Sequence, residues 1–106
     1  MNGSPGRRTR RAWTHLAKTR YLVCVRIGAP AREHFIADAD IEHAYRHAQR
    51  EVPRAELSRR TPGNLTMLIG PARNGAHLEI GVLDIESDDP VIIHADKLRA
   101  RFYKFL

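Results

Sequence analysis

The chain has 106 residues, 42% of them hydrophobic, which is enough for one small core and excludes a second domain of ordinary size. Its single cysteine, Cys24, excludes an internal disulfide and a zinc site built from cysteines, so a reducing compartment is expected. The net charge of +6 is uneven, because residues 1–26 hold seven basic and no acidic residues, whereas residues 27–106 hold eleven basic and twelve acidic residues.

Residues 1–26 are interpreted as a basic extension that precedes a domain spanning residues 27–106. The opening "MNGSPGRRTR" has the composition of a disordered segment. Three explanations compete: an arm that binds nucleic-acid phosphates, a targeting segment, or an extension from an upstream start, with translation beginning near Val23 or Val25. The apolar run "YLVCV" is too short for a signal-peptide core or a membrane span. The abrupt change in composition favours the third explanation.

The first predicted elements are a strand, a helical turn and a helix. The strand is "RYLVCVRI", because Val, Ile and Tyr favour pleated surfaces, and "APAREHF" is predicted to form one turn with Pro30 near its first position. The segment "DADIEHAYRHAQR", residues 38–50, is predicted to be a helix with Asp38 as its N-cap. Its apolar positions form one narrow face, which indicates a helix lying on a sheet: Ile41, Ala44, Tyr45 and Ala48.

Three apolar runs in the second half of the chain predict a β-meander. They are "LTMLIG", "HLEIGVL" and "VIIHA", and short connections between them make the strands antiparallel. Asn74 and Gly75 supply the left-handed conformations that the first hairpin loop needs. A helix followed by a meander predicts an α+β fold, with one or two N-terminal helices packed on a small antiparallel sheet. In the middle strand, the alternation places one group of side chains on one face, Leu78, Ile80 and Val82, and a second group on the other face, His77, Glu79 and Gly81. In the last strand, one face is predicted to carry Val91, Ile93 and Ala95, and the other face Ile92 and His94.

Two histidine pairs are candidates for chemistry. His43 and His47 share a helix face, but Ala44 stands where a zinc-protease motif has Glu, so solvated side chains are predicted rather than a metal site. His94 lies in the last strand, and Asp96 points to the same side of an extended backbone, where its carboxylate could orient the imidazole. His34 precedes the helix; for it and His94, a structural hydrogen bond is the competing interpretation.

The C-terminal stretch "DKLRARFYKF" interleaves cations with aromatic rings. RNA recognition uses this combination, with cations for phosphates and rings for unstacked bases. In the competing interpretation, the aromatic residues of a terminal helix pack on the sheet while the cations are solvated. The cations are Lys97, Arg99, Arg101 and Lys104, and the rings are Phe102, Tyr103 and Phe105.

Four segments, in this order, resemble the BrnT-type toxins of the RelE/ParE superfamily, the toxic half of bacterial type II toxin–antitoxin pairs. They are "REHFIADADIEHAYRHAQR", "LTMLIGPARNG", "HLEIGVLDI" and "VIIHADKLRARF", which together cover about residues 32–103. The resemblance implies a RelE-like fold and a metal-independent endoribonuclease that cuts mRNA without a cofactor. The sequence departs from the family at Asp96, where two adjacent basic residues are usual.

The resemblance also implies site residues and partners. The catalytic candidates are His94, His34 and Lys97, and the substrate-binding candidates are Arg73, Arg99, Arg101 and Tyr103. The implied partners are a cognate antitoxin and RNA, including mRNA on the ribosome, in the cytoplasm and away from membranes, with a homodimer or a heterotetramer with the antitoxin as assemblies. The alternative is a non-catalytic toxin-like protein-interaction module, which Asp96 and the near-neutral charge of residues 27–106 favour. Nothing in the sequence selects gyrase inhibition, the activity of some ParE-type members.

Overall fold

A computed structural model describes residues 25–106, which form an α+β fold around a mixed five-stranded sheet. The strands lie in the order β1-β5-β4-β3-β2; β1 runs parallel to β5, and the other neighbours are antiparallel. The basic extension, except for its last two residues, and most of the predicted strand "RYLVCVRI" lie outside the described residues. The elements are β1 (Arg26–Ile27), α1 (Asp38–Arg46), β2 (Arg50–Glu51), β3 (Leu65–Pro71), β4 (His77–Leu83), β5 (Val91–Lys97) and the 3₁₀ helices Ala29–Arg32, Arg54–Glu56 and Ala100–Phe105.

Helix α1 differs from its prediction at both ends. The N-cap is Ala37, which makes no side-chain cap, whereas the carboxylate of Asp38 accepts two hydrogen bonds from Arg32, so the prediction of Asp38 as N-cap was wrong. The helix ends at Arg46 rather than near residue 50. Beyond it, the backbone N–H of Gln49 donates to Ile69 and the next two residues pair with β3, so sheet hydrogen bonds replace helical ones.

The antiparallel meander β3-β4-β5 is confirmed, but the predicted alternation fails in β5. In β4, Leu78, Ile80 and Val82 all contact the core beneath α1, as expected. The register shifts between Gly81 and Val82, which pair with His94 and Ile92, so one residue of β5 has no partner of its own. This β-bulge shifts the pattern by one residue. Ile92 and Ala95 therefore share the core beneath α1, and Ile93 packs on the other side.

The sheet has an apolar core on each face. On one face the apolar stripe of α1, Ile41, Ala44 and Tyr45, packs on β3 and β4. On the other face a smaller core, which includes Leu65, Met67 and Ile69, is covered by Phe102 of the last 3₁₀ helix, whose side chain is 1% exposed. Phe102 thus anchors the last 3₁₀ helix to the sheet, as expected if the aromatic residues of the C-terminal stretch serve packing.

The loop between β3 and β4 is closed by backbone and side-chain hydrogen bonds. Only Gly75 of the predicted pair is left-handed, with φ +91°, while the Asn74 side chain accepts a hydrogen bond from the backbone N–H of Ala76. The loop closes through backbone hydrogen bonds between Ala72 and Ala76 and between Gly75 and Ala72.

None of the helices in residues 25–106 has the length and apolarity needed to cross a membrane.

Candidate functional site

The site is built on Glu79, a fully buried glutamate in the middle of β4. A buried carboxylate is tolerated only when charges and hydrogen bonds compensate for its lost hydration. Its Oε1 accepts hydrogen bonds from the backbone N–H of Arg99 at 3.0 Å and from Nε of the Arg99 side chain at 3.1 Å. Its Oε2 lies 2.7 Å from Nη2 of Arg99 and 2.8 Å from Nε2 of His94. Both oxygens are thus engaged by groups from β5 and from the segment that follows it.

These contacts keep Glu79 ionised. Burial by itself would raise the pKa of Glu79, but hydrogen bonds from His94 and Arg99, together with the Arg99 charge, outweigh burial and hold that pKa below its ordinary value. The Glu79 carboxylate is therefore a negative hydrogen-bond acceptor at neutral pH.

The ionised carboxylate fixes the proton arrangement of His94. Because a carboxylate only accepts hydrogen bonds, Nε2 of His94 must carry the proton of their 2.8 Å bond, which leaves Nδ1 of a neutral ring with a free lone pair. Gly81 lies opposite His94 on β4, and a Cβ at Gly81 would come within 3.0 Å of the His94 Cβ. Gly81 therefore makes room for the partly exposed imidazole of His94, whose orientation is set by its hydrogen bond to Glu79.

His34 and Asp96 complete the cluster at the outer side of β5. The rings of His34 and His94 meet edge to face, with centroids 5.8 Å apart. Nδ1 of His34 lies 3.7 Å from Oδ2 of Asp96, which is an ion-pair distance for a protonated ring and too long for a hydrogen bond. The predicted orientation of His94 by Asp96 was wrong, because Glu79 takes that place. The name "histidine cluster" is used below for His34, Glu79, His94, Asp96 and Arg99.

The other predicted site residues lie outside this cluster. Lys97 follows Asp96 and is exposed, and Tyr103 is 57% exposed on the tail. Arg101 stacks on Phe102 with its guanidinium carbon 4.6 Å from the ring centroid. Arg73 lies in the hairpin loop and is held by Asp40 at 2.8 Å. The structure therefore brings His34, His94 and Arg99 together and leaves the other four outside the cluster.

The remaining helix histidines form no such site. Nδ1 of His43 is hydrogen-bonded to the carbonyl oxygen of Pro71, and its ring lies against that of His47. Among residues 25–106, no three His, Cys, Asp or Glu side chains are grouped as metal ligands.

The charge of the histidine cluster depends on its two imidazoles. With both rings neutral, the carboxylates of Glu79 and Asp96 outnumber the single cation Arg99. One additional positive charge on either ring would bring the cluster to neutrality.

Sequence reasoning missed Glu79 as part of the site. The available signal was a charged residue between apolar neighbours in "HLEIGVL", in a strand predicted to bury one face. Its partners lie 15 and 20 residues away, on a strand whose bulge the sequence did not reveal.

No protein-family model, curated protein or solved structure matches this chain. A proposal of function therefore rests on the fold, on the histidine cluster and on the resemblance in four sequence segments.

Proposed function

We propose that this protein is a metal-independent endoribonuclease that cuts mRNA in the cytoplasm, as the toxin of a type II toxin–antitoxin pair. The observation that carries the proposal is the histidine cluster. Two imidazoles lie on one surface, each beside its own carboxylate, and a half-exposed arginine lies next to them. RNA cleavage by transesterification requires a base, an acid and a cation for the phosphate, and the cluster contains each of them.

In the proposed mechanism His94 is the base and His34 is the acid. Nδ1 of His94 takes the proton of a ribose 2′-OH, and O2′ attacks the adjacent phosphorus. As the O2′–P bond forms, the P–O5′ bond breaks, and O5′ takes a proton from Nε2 of protonated His34. The products are a 2′,3′-cyclic phosphate and a 5′-OH. The contacts support the choice of nitrogens, since Glu79 occupies Nε2 of His94 and Asp96 faces Nδ1 of His34.

Arg99 would neutralise the reacting phosphate in the transition state, and Lys97, which lies on the other side of the end of β5, would pair with a neighbouring phosphate. Arg99 is fixed by Glu79, and 45% of its side chain is exposed, so one side of the guanidinium can face a substrate. Fixed cations of this kind often contribute more than proton transfer, and each proton transfer contributes about 10²–10⁴-fold.

The partners in this proposal are RNA and a cognate antitoxin that covers the histidine cluster. The protein would form either a homodimer of its own or a heterotetramer with the antitoxin. A second candidate function is a non-catalytic protein-interaction module. Asp96 favours it, because a carboxylate that is 27% exposed beside the proposed acid repels phosphate.

Induced expression of the full chain in a bacterial host tests the proposal. Growth and transcript integrity are followed for the wild type, for His94→Ala and His34→Ala, and for His47→Ala as a control on an exposed histidine of another surface. The expected result is growth arrest with cut transcripts for wild type and His47→Ala, and neither for the two cluster variants. Normal growth with intact transcripts, at good expression of folded wild-type protein, would contradict the ribonuclease proposal.

A further inference from the structure

A groove with an apolar floor lies at the end of the sheet where β4 begins and β5 ends. Its volume is about 540 Å³, within the range of about 300–1,000 Å³ typical of small-ligand sites. Phe35, Tyr103 and Leu106, the three large hydrophobic side chains most exposed in residues 25–106, all line it. The name "aromatic groove" is used below for the site lined by these three residues and by Leu78, Lys97 and Leu98.

Phe35 stands out for both its exposure and its backbone conformation. Its side chain is 93% exposed, and its backbone is left-handed with φ +60°, a conformation that a bulky residue rarely adopts. Both features disfavour the folded state, since the apolar ring is exposed to water and the left-handed backbone is strained. Such residues are concentrated where a ligand or a partner is bound.

The charge at the aromatic groove favours an anionic ligand. Hydrogen bonds from the side chain and the backbone N–H of Arg73 hold the pKa of Asp40, the acidic residue of the lining, below its ordinary value, so that its charge is already balanced. Lys97 also lines the groove and is exposed, and in the described part of the chain no carboxylate lies within ion-pair distance of its ammonium. The groove therefore offers rings, an apolar floor and one unneutralised cation.

The aromatic groove adjoins the histidine cluster through the backbone. Phe35 follows His34 directly, and Lys97 follows Asp96 directly. Alternate residues of a strand point to opposite faces, so the groove and the cluster lie on the two sides of the end of β5. A ligand that bends around this end would contact both.

We propose that the aromatic groove binds one unpaired nucleotide of the RNA, next to the bond that the histidine cluster cuts. The base stacks on Phe35 or Tyr103, the floor excludes water from its other edge, and the adjoining phosphate pairs with Lys97. This inference rests on the proposed ribonuclease function for the identity of the ligand. Leu98 and Leu106 would also suit an apolar peptide, but a peptide gives no reason for the unneutralised lysine to stand beside the cleavage site.

The test measures binding separately from cleavage. The probes are fluorescein-labelled 12-nucleotide oligoadenylate and oligouridylate with 2′-O-methyl groups, which cannot be cut because the attacking hydroxyl is blocked. Fluorescence anisotropy with the full chain gives the affinity and its salt dependence. The variants are Phe35→Ala and Lys97→Gln, with Arg60→Gln as the charge-matched control in an exposed loop, and thermal unfolding checks that each variant is folded.

The expected results differ between the variants. Phe35→Ala should weaken binding at least about fivefold, the low end of what loss of a stacking ring costs. Lys97→Gln should weaken it and lower the salt slope by about 0.7, the value for one phosphate contact on a single strand. Arg60→Gln should bind as the wild type does.

Two outcomes would overturn the inference: no binding of either probe by the wild type, or equal binding by wild type, Phe35→Ala and Lys97→Gln. Cutting of unmodified RNA together with either of these outcomes would leave the ribonuclease proposal standing without the groove. Binding that depends on Phe35 and Lys97, without cutting of unmodified RNA, would support the groove as a nucleotide site and contradict the ribonuclease proposal.

Discussion

At the scale of single residues, Glu79 links stability to the candidate chemistry. Its carboxylate is fully buried, whereas Arg99 is 45% and His94 is 27% exposed, so the cost of desolvation falls mainly on one partner. The same contacts that compensate for burial orient His94 and hold Arg99 at the surface. A change at Glu79 should therefore affect both folding and the site.

We expect Glu79→Gln to lower the free energy of unfolding by about 1–3 kcal/mol, because the amide keeps the shape but leaves Arg99 without its counter-charge. The lower end of this range applies if Arg99 rehydrates easily. Urea denaturation at pH 7 measures the effect, with Glu33→Gln as the control on an exposed glutamate. A loss equal to that of the control would show that the buried ion pair contributes nothing to stability.

The same carboxylate predicts how stability depends on pH. The pKa of Glu79 is lowered in the folded state, so its contribution is fully present above the ordinary glutamate pKa of about 4.3 and is lost as the pH falls through the folded value. The difference in stability between wild type and Glu79→Gln should therefore shrink below about pH 4. Denaturation curves from pH 7 to pH 3 measure it, and a difference that stays constant across this range would contradict the assignment.

At the scale of elements, α1 packs on β3 with its backbone close to the strand at Gly70. A Cβ at Gly70 would overlap the carbonyl oxygen of Ala44 and come within 2.9 Å of its carbonyl carbon. Neither group can turn away as a side-chain tip would, since both belong to the helix backbone. The glycine thus sets the distance between the helix and the sheet.

We expect Gly70→Ala to destabilise the fold by about 3 kcal/mol or to prevent folding, which is at or above the upper end of ordinary overpacking. Gly63→Ala is the matched control, because nothing lies within 4 Å of a Cβ there. Chemical denaturation compares the two variants. Equal stability of Gly70→Ala and Gly63→Ala would show that α1 can shift on the sheet at little cost.

At the scale of the whole molecule, local patterns predicted the centre of the sheet, and long-range pairing determined its edges. The alternation in β3 and β4 and the loop at Gly75 are local signals, and the meander follows from them. The edge strands are two residues each: β1 forms by parallel pairing with β5, and β2 begins at Arg50, the last residue of the predicted helix. The same division holds for the site, since His94 and Arg99 stood out by residue type, while Glu79 needed the cross-strand register.

The most direct test of the ribonuclease proposal is an assay of the purified full chain on unmodified single-stranded RNA in the presence of a chelator, with analysis of the product ends. We expect fragments that end in 2′,3′-cyclic phosphate and 5′-OH, with rates lowered about 10²–10⁴-fold in His94→Ala and in His34→Ala. Intact RNA with folded wild-type protein, or equal cutting by wild type and both variants, would contradict the proposal.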